Sequence, residues 1–227
     1  MTKLSPIILG ILLLGLMIGA SSFRSGIPEW VNISERWAEI RYNRPSDKQI
    51  QALQILSRDT EALVMAHPGQ AEALVWNAVV LSTLGRLQGG SEGLGLARQA
   101  MKLLDQAEKI QPEVLDGLVY TLKGSLYFKV PGWPIGFGDP GLAKTYLEKA
   151  LTIDPHNIDA NYFYAEYLLH ERDFNGAIAA YKKVLAAKPR PGQTLADDGR
   201  KREARAAIVR AEALRQQQRA DIKRVLQ

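Results

Sequence analysis

Residues 155–189 read PHNIDANYFYAEYLLHERDFNGAIAAYKKVLAAKP, and the period of their apolar positions decides the fold. Two stripes lie between prolines that stand 34 residues apart. The first runs from Ile158 to His170 through Asn161, Tyr164, Ala165 and Leu168, and the second is Ala177, Tyr181, Val184 and Leu185. Spacings of three and four place each set on one face of an α-helix, and a proline just past the second stripe ends it. The stretch predicts two helices packed against each other and closed by Pro189.

The same signature recurs upstream. Ala100 precedes Pro112, Ala143 precedes Pro155 and Ala177 precedes Pro189, each by 12 residues. Ala143, Tyr146, Leu147, Ala150 and Leu151 form the stripe of the middle copy. Each of these helices is preceded by another apolar segment: Leu74 to Gly85, Leu115 to Phe128, and Ile158 to His170. Small residues at Gly124 and Ala165 let one helix approach the alanine of its partner closely. Repetition of this kind predicts an all-α stack in which each pair buries its apolar face against its neighbours. The copies differ in length, with 20 residues from Val80 to Ala100, 19 from Gly124 to Ala143 and 12 from Ala165 to Ala177. Inserted loops are therefore expected at residues 86–92, with Ser91 capping the next helix, and at residues 130–141. Residues 24–68 read as a degenerate first pair, with Ser46 and Gln49 placed as a capping box. Residues 69–189 hold the three clear copies, and residues 190–227 read as a basic C-terminal capping helix.

These residues carry a resemblance to the tetratricopeptide repeat (TPR). The third copy supplies Asn161, Tyr164, Ala165 and Leu168, then Ala177, Tyr181 and Pro189, at the length of the TPR unit. The middle copy supplies Tyr120, Lys123, Gly124 and Tyr127, then Ala143, Leu147 and Pro155. The first supplies Trp76, Val79, Val80 and Thr83, then Ala100, Leu104 and Pro112. Over residues 70 to 215 the chain also resembles small bacterial envelope TPR proteins, including the T-component family associated with TRAP transporters. That likeness rests on the glycine-rich insertion, on Tyr162-Phe163-Tyr164-Ala165-Glu166-Tyr167 and on Arg190-Pro191-Gly192. It implies an α-solenoid of about four helix pairs plus a capping helix. It also implies a concave surface that holds a protein or peptide, lined by Asn77 and Leu81, by Thr121, Ser125 and Lys129, and by Tyr162, Glu166 and His170. A role as an accessory component of a solute transporter, binding a small apolar ligand, is the alternative. Members of the T-component group are often lipoproteins, whereas this sequence has no cysteine to modify.

The N-terminal segment sets the expected address. Between Lys3 and Arg24 there is no charge, and Ile7 to Ala20 is almost wholly apolar. Residues 1–23 fit either a cleaved signal peptide, with small residues at Ala20-Ser21-Ser22, or an uncleaved membrane anchor. Either places the rest of the chain on the periplasmic side, free or held at the inner membrane. The net charge of +5 is concentrated at the other end, where Arg200, Lys201, Arg202, Arg205, Arg210, Arg215, Arg219, Lys223 and Arg224 outnumber the acids. Their alternation with Asp and Glu suits a solvated helix rather than a nucleic-acid surface.

Catalytic and cofactor chemistry finds little support. Without cysteine there is no disulfide, thiolate metal site or thiol nucleophile. His67, His156 and His170 lack metal-ligand spacing. Gly136, Gly138 and Gly141 make a formal G-x-G-x-x-G, but a dinucleotide site needs a strand before it and none is readable. A better reading of residues 130–141 is an ordered loop, with Asp139 capping the following helix and Pro140 in its first turn. Trp133 and Phe137 then either pack down or anchor a partner. The sequence points to a non-enzymatic module with no cofactor.

Overall fold

The computed structural model describes residues 29–225, and the expected signal or anchor segment lies outside them. The described residues form nine helices: α1 Glu29–Tyr42, α2 Ser46–Ala66, α3 Ala71–Gln88, α4 Gly90–Ile110, α5 Val114–Lys129, α6 Pro140–Ile153, α7 Ile158–His170, α8 Phe174–Ala186 and α9 Thr194–Val225. There is no named strand among the described residues; two glycines of the loop between α5 and α6, Gly132 and Gly138, form an isolated bridge.

The helix boundaries follow from capping and proline chemistry. Asp139, Asn157 and Asp173 each accept a hydrogen bond from the backbone N–H three residues on, at 2.9, 3.0 and 2.9 Å. That satisfies donors which a helix start leaves free. Pro140 occupies the first turn of α6. Pro112, Pro155 and Pro189 lie just beyond α4, α6 and α8, where no continuing N–H is needed. In α5, regular right-handed geometry begins only after Gly117, because Leu115, Asp116 and Gly117 all have positive φ.

The helices pack as antiparallel hairpins α3–α4, α5–α6 and α7–α8, stacked in chain order, with α9 laid along α8. Ala100, Ala143, Ala165 and Ala177 are fully buried, as the repeat requires, beside Leu104, Leu147 and Tyr181. At Gly124 an added Cβ would stand 2.6 Å from Leu147 Cγ, so a side chain there would wedge α5 from α6. α1 and α2 extend the stack at the N-terminal end through Ile33, Ile40, Leu53 and Leu56.

Three local expectations are corrected. The inserted residues at 86–92 do not form a loop: α3 runs to Gln88 and α4 starts at Gly90, leaving Gly89, with φ of 65°, as the break. Ser91 consequently sits inside α4 and caps nothing. Ser46 is the first residue of α2 and makes no cap. Gln49 instead donates to the carbonyls of Arg44 and Arg41 at 2.9 and 3.4 Å, closing the C-terminal end of α1. At the first site the backbone passes from helix to helix through one residue, Gly89 N–H donating to Gly85 O at 2.9 Å and Gly93 N–H to Gly89 O at 2.8 Å; at the second, the first turn of α2 closes on Pro45 O, which accepts from Lys48 N–H at 3.0 Å.

One contact had no counterpart in the repeat pattern. α1 packs against α9, so the first described helix meets the last. Tyr42 lies on Gly199, where an added Cβ would fall 2.5 Å from the ring. The stack therefore curls until its ends touch, and the inner side becomes a bowl.

Candidate functional site

The bowl encloses a cavity of about 710 Å³. Its wall is built from the inward faces of α3, α5 and α7, from the first two turns of α4, from α1 and α9 across the closure, and from Pro131 and Ile135 of the loop before α6. Val79, Leu94, Leu118, Leu122 and Leu126 make much of the wall apolar. A cavity of this size suits a drug-sized molecule.

A buried ionic network seals one side. Arg190 donates to Asp159 on α7 at 2.9 Å and to Asp197 on α9 at 2.6 Å. Arg200 donates to the other oxygen of Asp159 at 2.9 Å and to Glu203 at 2.8 Å. Arg41 on α1 completes the chain by pairing with Glu203. Burial alone would push the Asp159 carboxyl up, but Arg190 and Arg200 outweigh it and hold it down at about 2. A carboxylate that accepts several charge-assisted hydrogen bonds behaves in this way. The Arg200 guanidinium also lies over Tyr162 at 4.4 Å and Phe163 at 5.0 Å.

Lys129 occupies a different environment. Its side chain is exposed to solvent in the bowl, although protein atoms are dense around its site. That desolvation lowers its ammonium to about 8; Arg200 and Arg86 push the same way, whereas Glu166 and Glu203 oppose them. Its Nζ stands 4.7 Å from the Phe163 ring and 5.3 Å from Phe128.

The sequence-derived concave residues separate into two groups. Ser125 and Lys129 line the bowl. Lys129, Glu166 and His170 also meet at a shallower outer cleft with Phe128, Arg210 and Leu214. Glu166 there accepts from Tyr181 and from Arg210, and His170 is exposed beside Glu171. Of the others, Asn77 and Thr121 are buried away from any contact surface, and Leu81 and Tyr162 are only partly exposed. Asn77 accepts from Thr60 at 3.2 Å, and Leu81 packs against the core. Tyr162 is half-buried under Arg200 and edge-on to Tyr181. The reason is rotational: α3 turns Val79, Thr83 and Arg86 inward, and α7 turns Asp159 and Phe163 inward. Arg86, Asp159, Phe163 and Arg200 were not legible as site residues, because their roles depend on the α1–α9 closure.

The loop at residues 130–139 is held by its own backbone. Gly138 N–H donates to Pro131 O at 2.9 Å, Gly136 N–H to Gly132 O at 3.0 Å, and Asp139 N–H to Tyr127 O at 2.8 Å. Phe137 packs edge-on against Tyr127 at 6.0 Å. Trp133, in contrast, is 90% exposed and Ile135 66%. Neither a cluster of metal-ligating side chains nor a helix long and apolar enough to cross a membrane occurs among the described residues.

Comparison with known proteins agrees with the repeat. A family model described as a tetratricopeptide repeat matches residues 135–196, which contain α6, α7 and α8. A search of curated proteins gives no significant match. Among solved structures, a thermophilic TPR protein of Thermus thermophilus is similar with a TM-score of 0.55 at 18% identity, over 81% of this chain and 89% of that one. The crystal structure of MamA gives 0.40 at 18% identity, over 77% and 95% of the two chains. Pseudomonas aeruginosa pilF gives 0.33 at 16% identity, over 80% and 90%. Only the first is close enough to speak for the fold, and at these identities none speaks for function.

Proposed function

We propose that this tetratricopeptide-repeat chain is a non-enzymatic scaffold that holds a partner protein or peptide on the periplasmic side of a bacterial envelope. The observation that carries the partner reading is the loop at the edge of the bowl. Trp133 and Ile135 project from a hydrogen-bonded loop with most of their apolar surface in water. Side chains of this kind, presented without backbone freedom to lose, are what interface hot spots are made of. The outer cleft sets Lys129, Glu166 and His170 beside Phe128 and Leu214, a mixed charged and apolar surface. The envelope address rests on the apolar run from Ile7 to Ala20, which suits export or anchoring at the inner membrane.

A photo-reactive phenylalanine analogue at Trp133, compared with one at Met65, tests this. Met65 is 70% exposed on α2, well outside the loop. In intact envelopes the reading expects a discrete crosslinked adduct from position 133 and none of the same mass from position 65. Identical adduct patterns from both positions would end it.

A second reading, an accessory component of a solute (TRAP-type) transporter, is favoured by one observation. The inner cavity is partly enclosed and largely apolar, which suits a small molecule better than a long peptide.

A further inference from the structure

The charges around the bowl do not balance. Arg41, Arg190 and Arg200 are matched by Asp159, Asp197 and Glu203, all joined in the network described above. Arg86 and Lys129 line the same cavity, and no acid among the described residues pairs with either. Glu166, an acid that acts on Lys129 through space, is engaged by Tyr181 and Arg210. Both side chains are exposed to solvent in the bowl; Arg41 and Arg200 repel the charge of Arg86, and Arg200 and Arg86 that of Lys129, while the one further acid acting on both, Glu203, is already engaged by Arg41 and Arg200. Two unpaired like charges lining one partly enclosed, apolar-walled site focus a field that attracts a counter-charge.

We propose that the bowl binds a small amphipathic monoanion, a carboxylate on an apolar body, with Arg86 and Lys129 taking the carboxylate and Val79, Leu122 and Leu126 covering the body. The inference rests on the reading of the bowl as a solute site and adds the charge and class of the solute. The guanidinium of Arg86 supplies the planar pair of donors that fits a carboxylate, and the Lys129 ammonium supplies a point charge beside it. The apolar wall excludes a ligand that is polar throughout, because its remaining donors and acceptors would lose water without gaining partners. The Asp159 network does not compete for the anion, since Arg190 and Arg200 are already engaged.

The test is calorimetric titration of the purified full-length chain with octanoate and with octanol. Octanoate is expected to bind roughly tenfold or more tightly than octanol, the difference expected for one hydrogen-bonded charge. In the double variant Arg86→Gln, Lys129→Gln the preference should vanish while octanol binding is unchanged. The conservative single variant Lys129→Arg should keep most of it. Both residues lie outside the buried network, and an unchanged melting curve checks that the variants are folded. Equal binding of octanoate and octanol overturns the anion assignment and leaves the solute reading standing. Binding of neither overturns both. A preference for octanoate that survives the double variant overturns the assignment to Arg86 and Lys129.

Discussion

Asp159→Asn is expected to cost about 3–5 kcal/mol of unfolding free energy, the range for breaking one member of a buried charged cluster. The substitution keeps the shape and removes the charge. Arg190 and Arg200 then face each other across an amide that can satisfy neither fully. Asp159 stands on α7, Arg190 on the segment after α8 and Arg200 on α9, so the loss also loosens the closure. The pH dependence has a definite sign. The folded carboxyl titrates at about 2, below its unfolded value near 3.9. Its stabilising contribution is complete above about pH 4 and is lost as pH falls through about 2. Urea melts of wild type and variant at pH 7 and at acid pH check both statements. A variant within about 0.5 kcal/mol of wild type at pH 7 would show that the network is a surface pairing of little weight.

Gly93→Val is expected to destabilise by about 3 kcal/mol, at the upper end of overpacking costs. α3 and α4 cross at Gly85 and Gly93, where a Cβ on Gly93 would stand 2.3 Å from the Gly85 carbonyl oxygen and one on Gly85 2.8 Å from the Gly93 oxygen. Backbone cannot rotate aside as a side chain can, so the two helices must separate. Helix propensity works in the opposite direction, because glycine in a helix interior costs about 1 kcal/mol relative to alanine. Gly95, two residues on in the same helix, has nothing within 4 Å of an added Cβ. Gly95→Ala should therefore stabilise by about 0.5–1 kcal/mol. Opposite signs at two glycines of one helix separate crowding from propensity. Equal effects would mean that the α3–α4 crossing is not tight.

The contrast between the legible and illegible parts has a physical source. Ala143, Ala177 and their prolines were readable because each helix pair is a local structure, and its period, caps and breakers lie within a few dozen residues. The buried positions of Leu147 and Tyr181 and the cap at Asp139 follow from the same local rules. Length alone misled at residues 86–92, where extra residues lengthened two helices instead of making a loop. Glycine is a weak breaker when it also permits close helix contact, and Gly93 does that. The inner wall of the bowl was harder still. Which residues of α3 face inward is set by rotation about the helix axis within a stack, and that rotation replaces Asn77 and Leu81 by Val79, Thr83 and Arg86. The pairing of Arg41 with Glu203 joins residues 162 apart in the chain. No periodicity encodes a contact of that kind, because it depends on the summed curvature of all the pairs between.

The closure of α1 on α9 is accordingly the claim on which the bowl, its ionic seal and its ligand all depend. Because the sequence has no cysteine, spin labels can be placed at two chosen positions alone. Asn43 and Arg205 are both exposed and flank the α1–α9 contact without belonging to it. Electron–electron dipolar distances between labels at these positions should give one short, narrow distribution in wild type and a broader, longer one in Asp159→Asn. A long, broad distribution in wild type itself, unchanged by the substitution, would mean an open solenoid with no bowl.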